Sequence, residues 1–89
     1  MPRVWETNPN MLIPYYLMFS FLYYEKNISL IDDTEFDTMC KTLLDKYDEL
    51  EHMHKDLVKK ESLTAGTGYD IKYTNMIKQS AMKLSEVWT

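Results

Sequence analysis

The absences in this 89-residue chain narrow it first. It has a single cysteine, Cys40, so no internal disulfide framework can staple it, and a reducing compartment suits it. Both of its glycines, Gly66 and Gly68, fall in the stretch Ala65-Gly66-Thr67-Gly68-Tyr69-Asp70. Ahead of a helix such a stretch can offer amides to a phosphate, but this one has neither the Walker lysine spacing nor the dinucleotide fingerprint. It reads as a flexible interhelical turn. No apolar run reaches the about 20 residues of a membrane span. The longest, Met11 to Tyr24, contains Pro14 and Ser20 and reads as a buried helix. Met1–Glu6 does not read as a secretory signal, because the apolar run comes later and no small-residue cleavage site follows it. Period-2 alternation of useful length is missing too, so no sheet is expected. There is no internal repeat and no low-complexity tract.

What is present suits one small domain, 1–89. A chain of this size buries only about 60–65% of its unfolded surface, so its core must be dense. An apolar fraction of 45%, with seven Tyr, three Phe and two Trp, can supply that core and argues against disorder. The net charge of −4 is uneven: residues 1–31 sum to zero, 32–61 to −5 and 62–89 to +1. The acidic middle reads as a solvated helix surface or as a face for a basic partner. Direct nucleic-acid binding through Lys72, Lys78 and Lys83 is disfavoured: three lysines give a shallow salt dependence, and the overall charge opposes them.

The spacing predicts an all-α fold of three main helices, a helix-turn-helix pair plus a C-terminal helix. The first opens after Asn8-Pro9-Asn10, with Asn10 as a good N-cap and Pro14 in the first turn, and runs to about Lys26. It is apolar almost all round, so it is central to the core or contacts a second chain. Asn27 ends it, and Ile28–Ile31 forms an extended connector. Asp32-Asp33-Thr34-Glu35 has the form of a capping box. Phe36, Cys40, Leu43, Leu44, Tyr47, Leu50, His54, Leu57 and Val58 then follow at helical spacing, with Lys59-Lys60 suiting the C-terminal end of the dipole. Ser62–Tyr69 is the flexible stretch. Asp70 caps a third helix carrying Tyr73, Met76, Ile77, Ala81, Leu84 and Trp88.

Candidate chemistry is sparse. Asp33 and Asp37 lie a turn apart on one helical face and can share a cation or act as an acid–base pair, while acids also gather at helix starts for capping alone. His52-Met53-His54 can ligate a metal only from a non-helical backbone or with outside ligands. On a helix, His54 instead packs on the apolar stripe. Cys40 falls on that stripe beside acids, the setting of a packed thiol and not of a nucleophile. Tyr15, Tyr16, Tyr23 and Tyr24 cannot all fit a core this small with their hydroxyls satisfied, so some reach the surface as a binding face. A homodimer through the first helix is an equally physical solution.

Tyr23-Tyr24, Ile31-Asp32-Asp33-Thr34-Glu35-Phe36-Asp37, Leu50-Glu51 and His54-Lys55-Asp56-Leu57 together resemble a family pattern. It is that of the N-terminal Ia domain of bacterial NAD-dependent DNA ligases, matched over residues 15–58. That family pairs a helix ending in Tyr-His with an Asp-x-Glu-Tyr-Asp helix start. The interval of ten from Tyr23 to Asp33 and of four from Asp33 to Asp37 is similar. The resemblance implies a nicotinamide-nucleotide site at Tyr23, Tyr24, Asp33, Phe36 and Asp37. The family's His is Tyr24 here, and its Tyr is Phe36. The Lys-x-Asp-Gly motif that accepts AMP is absent, so ligase chemistry is not expected of this chain. A freestanding relative of this size implies a phage or mobile-element source.

The resulting expectation is a non-enzymatic helical binding protein of the cytoplasm, the host's if phage-encoded. It would act on a protein partner, for example by inhibiting a host nucleic-acid enzyme or defence system. It needs no cofactor and no metal. The alternative is a module that binds NAD or nicotinamide mononucleotide (NMN) weakly.

Overall fold

A computed structural model describes residues 3–65 and 71–88, with the side chains of Ser62, Thr64 and Ala65 left aside. Five α-helices follow one another: α1 Val4–Thr7, α2 Leu12–Glu25, α3 Asp33–Lys46, α4 Lys60–Ala65 and α5 Asn75–Val87. The described residues contain no strand. The fold is a small all-α domain, and α2, α3 and α5 are its three main helices.

Helix α2 is the centre. Leu12, Ile13, Tyr16, Leu17, Phe19, Ser20, Phe21 and Leu22 are all buried, which covers every side of the helix except its final turn. It packs on both α3 and α5, and α3 packs on α4. The absence of a polar face is thus explained within one chain. Burial of each such aliphatic or aromatic side chain contributes about 1.5–3 kcal/mol. Tyr23 and Tyr24, at the last turn, stay exposed. None of the described helices is long and apolar enough to cross a membrane.

The start of the first helix differs from expectation. Pro9–Met11 forms a 3-10 turn, and the α-helix begins only at Leu12. Asn10 is not its cap; its side-chain oxygen accepts from the Glu51 amide at 3.0 Å and ties this turn to the loop after α3. Pro14 still falls in the first turn, where its missing N–H costs nothing. At the other end Asn27 adopts φ 56°, a left-handed conformation that Asn tolerates better than most residues. The Ile28 amide then reaches back to the Leu22 carbonyl at 2.8 Å.

The second helix is much shorter than its periodicity suggests. It ends at Lys46, and 3-10 turns at Tyr47–Glu49 and Lys55–Leu57 replace its expected continuation. Two forces account for this. The acids Asp45, Asp48, Glu49 and Glu51 would stand close together on a continuing helix, where like charges a turn apart repel. Folding back also buries Leu50 and Val58 in the same core as Leu43, and the Tyr47 hydroxyl donates to the Val58 carbonyl at 2.7 Å to close the loop. His54 therefore leaves the apolar stripe. Lys60 opens α4 instead of closing a helix, and pairs with Asp48 at 3.1 Å.

Ser62–Ala65, expected as flexible turn, belongs to α4. The glycine-bearing remainder, 66–70, lies outside the described residues, and so does the expected cap Asp70. Helix α5 is capped by Thr74, whose hydroxyl accepts from the Ile77 amide at 3.3 Å. Its Ile77, Ala81 and Leu84 face α2, and Tyr73 meets Phe21 edge-on at 5.4 Å.

Candidate functional site

The first five residues expected of a site come together. A cavity of about 310 Å³, near the lower end of small-molecule pockets, opens between three neighbouring pieces of chain. The last turns of α2 supply Phe19, Tyr23 and Tyr24. The connector supplies Ser29, Leu30 and Ile31, and the first two turns of α3 supply Asp33, Phe36, Asp37 and Cys40. Tyr23, Tyr24, Asp33, Phe36 and Asp37 thus all line one cavity.

The local sequence explains each position. Asp32 caps α3, its carboxylate accepting from the Glu35 amide at 2.7 Å, which sets the first turn. Only half of the expected capping box forms, because the Glu35 side chain turns away to take a two-pronged contact from Arg3 at 2.6 and 3.0 Å. With the cap fixed, Asp33 and Asp37 stand a turn apart beside Phe36. Asp37 pairs with Lys41 at 2.9 Å across an exposed helix surface, and Asp33 forms no ion pair among the described residues. Across the cavity the rings of Tyr23 and Tyr24 meet edge to face with centroids 4.9 Å apart. Phe36 is held by stacking on buried Tyr16 at 5.7 Å. The connector keeps its bend through the Ser29 hydroxyl, which donates to the Ile31 carbonyl at 2.7 Å.

The floor is chemically quiet. Cys40 is buried, and desolvation, helped by Asp37, pushes its thiol up to about 12. The thiolate that nucleophilic or redox chemistry requires is scarce there. Burial likewise raises the Tyr16 phenol above its ordinary range. The cavity therefore offers aromatic faces, two carboxylates and an inert base.

The other candidates stand apart from it. His52 and His54 sit on a non-helical stretch with ring centroids 5.4 Å apart, and the His54 amide donates to His52 Nδ1 at 3.1 Å. Burial, and then His54, lower the His52 pKa. Among the described residues no three His, Cys, Asp or Glu side chains gather to hold a metal. Lys78 and Lys83 join Lys26 around an open depression with Phe21 and Met82, whereas Lys72 does not line it.

Two features go beyond what the sequence pattern discloses. One is the contribution of the connector residues Ser29–Ile31; their place between a helix stop at Asn27 and a cap at Asp32 was the available signal. The other is an aromatic cluster at the ends of the described chain. Trp5 and Trp88 stack at 6.3 Å with planes 9° apart, Phe19 meets both edge-on, and the Arg3 guanidinium lies 5.5 Å over Trp88. No periodicity links residues so distant in sequence.

No protein-family model, curated protein or solved structure matches this chain. The site stands on its geometry alone.

Proposed function

We propose that this chain is a binding protein without catalytic activity of its own, which engages a protein partner through the face around the Tyr23–Asp33–Asp37 cavity. The convergence of an exposed tyrosine pair and two carboxylates on one preformed cavity carries the reading. Tyrosine is enriched where proteins meet, and exposed rings beside a carboxylate that has no ion pair among the described residues form an anchor that a complementary surface can bury. The inert thiol beneath agrees with binding in place of chemistry. The form of partner binding proposed with it, a phage-encoded inhibitor of a host nucleic-acid enzyme or defence system working in the host cytoplasm, rests on the sequence resemblance alone. The test is affinity capture with three baits: the unaltered chain, Tyr23→Ala and Lys78→Ala. A partner retained by the unaltered chain and by Lys78→Ala but lost with Tyr23→Ala supports the reading. Equal loss with both variants, or equal retention, refutes the assignment of the face.

A second reading has its own support: the five positions resembling the ligase pattern all line the same cavity. It makes the chain a nicotinamide-nucleotide binder. Calorimetry with NAD and NMN tests it, with Asp33→Ala and Asp37→Ala as comparisons. Heat that both substitutions abolish supports it; no heat at millimolar ligand removes it.

A further inference from the structure

The cavity has a definite chemical bias, and it selects among partners. We infer that its occupant is the guanidinium group of an arginine side chain presented by the partner. This inference rests on the protein-binding reading and makes it specific.

Charge comes first. Asp33 and Asp37 stand on one face of α3; Asp37 already pairs with Lys41 at 2.9 Å, while Asp33 forms no ion pair among the described residues. The positive end of the α3 dipole offers only about half a charge, which Asp33 shares with the Asp32 carboxylate that accepts from the Glu35 amide. The site therefore calls for a cation. Shape comes second. Tyr23, Tyr24 and Phe36 line the cavity, and aromatic rings favour a flat, weakly hydrated cation over a compact, strongly hydrated ammonium. A guanidinium is planar, stacks on rings and donates a fork of N–H groups to a carboxylate.

The same chain displays this recognition elsewhere. Arg3 grips Glu35 through Nε and Nη2 at 2.6 and 3.0 Å while lying over the Trp88 ring. A carboxylate and an aromatic ring together hold a guanidinium there, the same two elements that Asp33 and the tyrosine pair offer at the cavity. Arg3 is also the only arginine in the sequence, so no internal arginine is left to fill the second site. Tyr23 and Tyr24, which line the cavity, are both exposed, so a side chain from outside can reach it without unfolding.

The probe is N-acetyl-arginine amide, titrated into the isotopically labelled full chain and followed by amide NMR shifts. The neutral citrulline analogue and the lysine analogue serve as comparisons. Saturable shifts confined to residues 19–24, 29–31 and 33–40 are expected with arginine. Affinity should fall about tenfold for lysine, the equivalent of 1.4 kcal/mol. Citrulline should produce no saturation. Asp33→Asn, at an exposed helix-start position, should keep the thermal midpoint while weakening arginine binding about tenfold. Equal affinity for arginine and citrulline, equal affinity for arginine and lysine, or no shift at millimolar probe would each overturn the inference. Partner capture that depends on Tyr23 would survive any of those results, so failure of the arginine assignment is separable from failure of the binding face.

Discussion

Cys40 lies on the cavity floor, where a reactive thiol would matter most, and its surroundings silence it. Its folded-state pKa, about 12, stands above the ordinary 9.0, so the native thiol keeps its proton where the unfolded chain loses it. The stability this provides is fully present below pH 9 and is lost as pH rises from 9 toward 12. Urea midpoints should fall across the accessible part of that window, and less steeply in Cys40→Ala. A thiol reagent at pH 8 should label the native protein far more slowly than the urea-unfolded chain; labelling at equal rates would mean the thiol is not buried. Trp88 makes a second residue-scale point. It stacks on Trp5, meets Phe19 edge-on and lies under Arg3. Full truncation of a buried Trp costs 3–5 kcal/mol, and for this half-buried one about 2 kcal/mol is expected in chemical denaturation of Trp88→Ala. The cavity shifts in NMR should be little altered, because Phe19, the lining residue whose ring meets Trp88, keeps its edge-on contact with Trp5.

At the scale of elements, the loop after α3 depends on Tyr47. Its hydroxyl donates to the Val58 carbonyl and its ring faces Lys55 and Lys60 at 4.8 and 5.3 Å. Tyr47→Phe removes one hydrogen bond while keeping the ring, and should cost about 1 kcal/mol in a denaturation midpoint. Asp32→Ala should cost a similar amount, about 1 kcal/mol, through loss of the α3 cap, and should also loosen the cavity wall. These elements show what the sequence could disclose. The α2 stop at Asn27 and the α3 start at Asp32 were legible because single residues carry them: a tolerated left-handed φ and a carboxylate at an N-cap. They also fix the connector between, which is why all five expected site residues converge. The end of α3 was not legible. Leu50 and Val58 keep helical spacing, yet they are buried by a reversal of the chain, and spacing does not distinguish a long helix from a short one that folds back. The cap of α5, carried by Thr74, is not legible for a related reason: spacing alone does not distinguish a helix start at one capping residue from a start at another four positions later.

For the whole molecule, α2 acts as a core strut around which α3 and α5 are placed, so the cavity is built from chain segments close in sequence: residues 19–40 supply its entire lining. A site of that kind forms when two successive helices form, and its rigidity derives from the strut. The radius of gyration, 11.8 Å, agrees with the about 12 Å of a compact chain of this length, and the cavity is already formed in it. Binding is then expected to fill a preformed surface. The most direct measurement places a photoreactive residue at position 23, beside the cavity, or at position 82 on exposed α5, and crosslinks the protein to its partner in the cell. A strong adduct from position 23 and little from position 82 is the expected result. An adduct from position 82 with none from position 23 would contradict the assignment of the binding face.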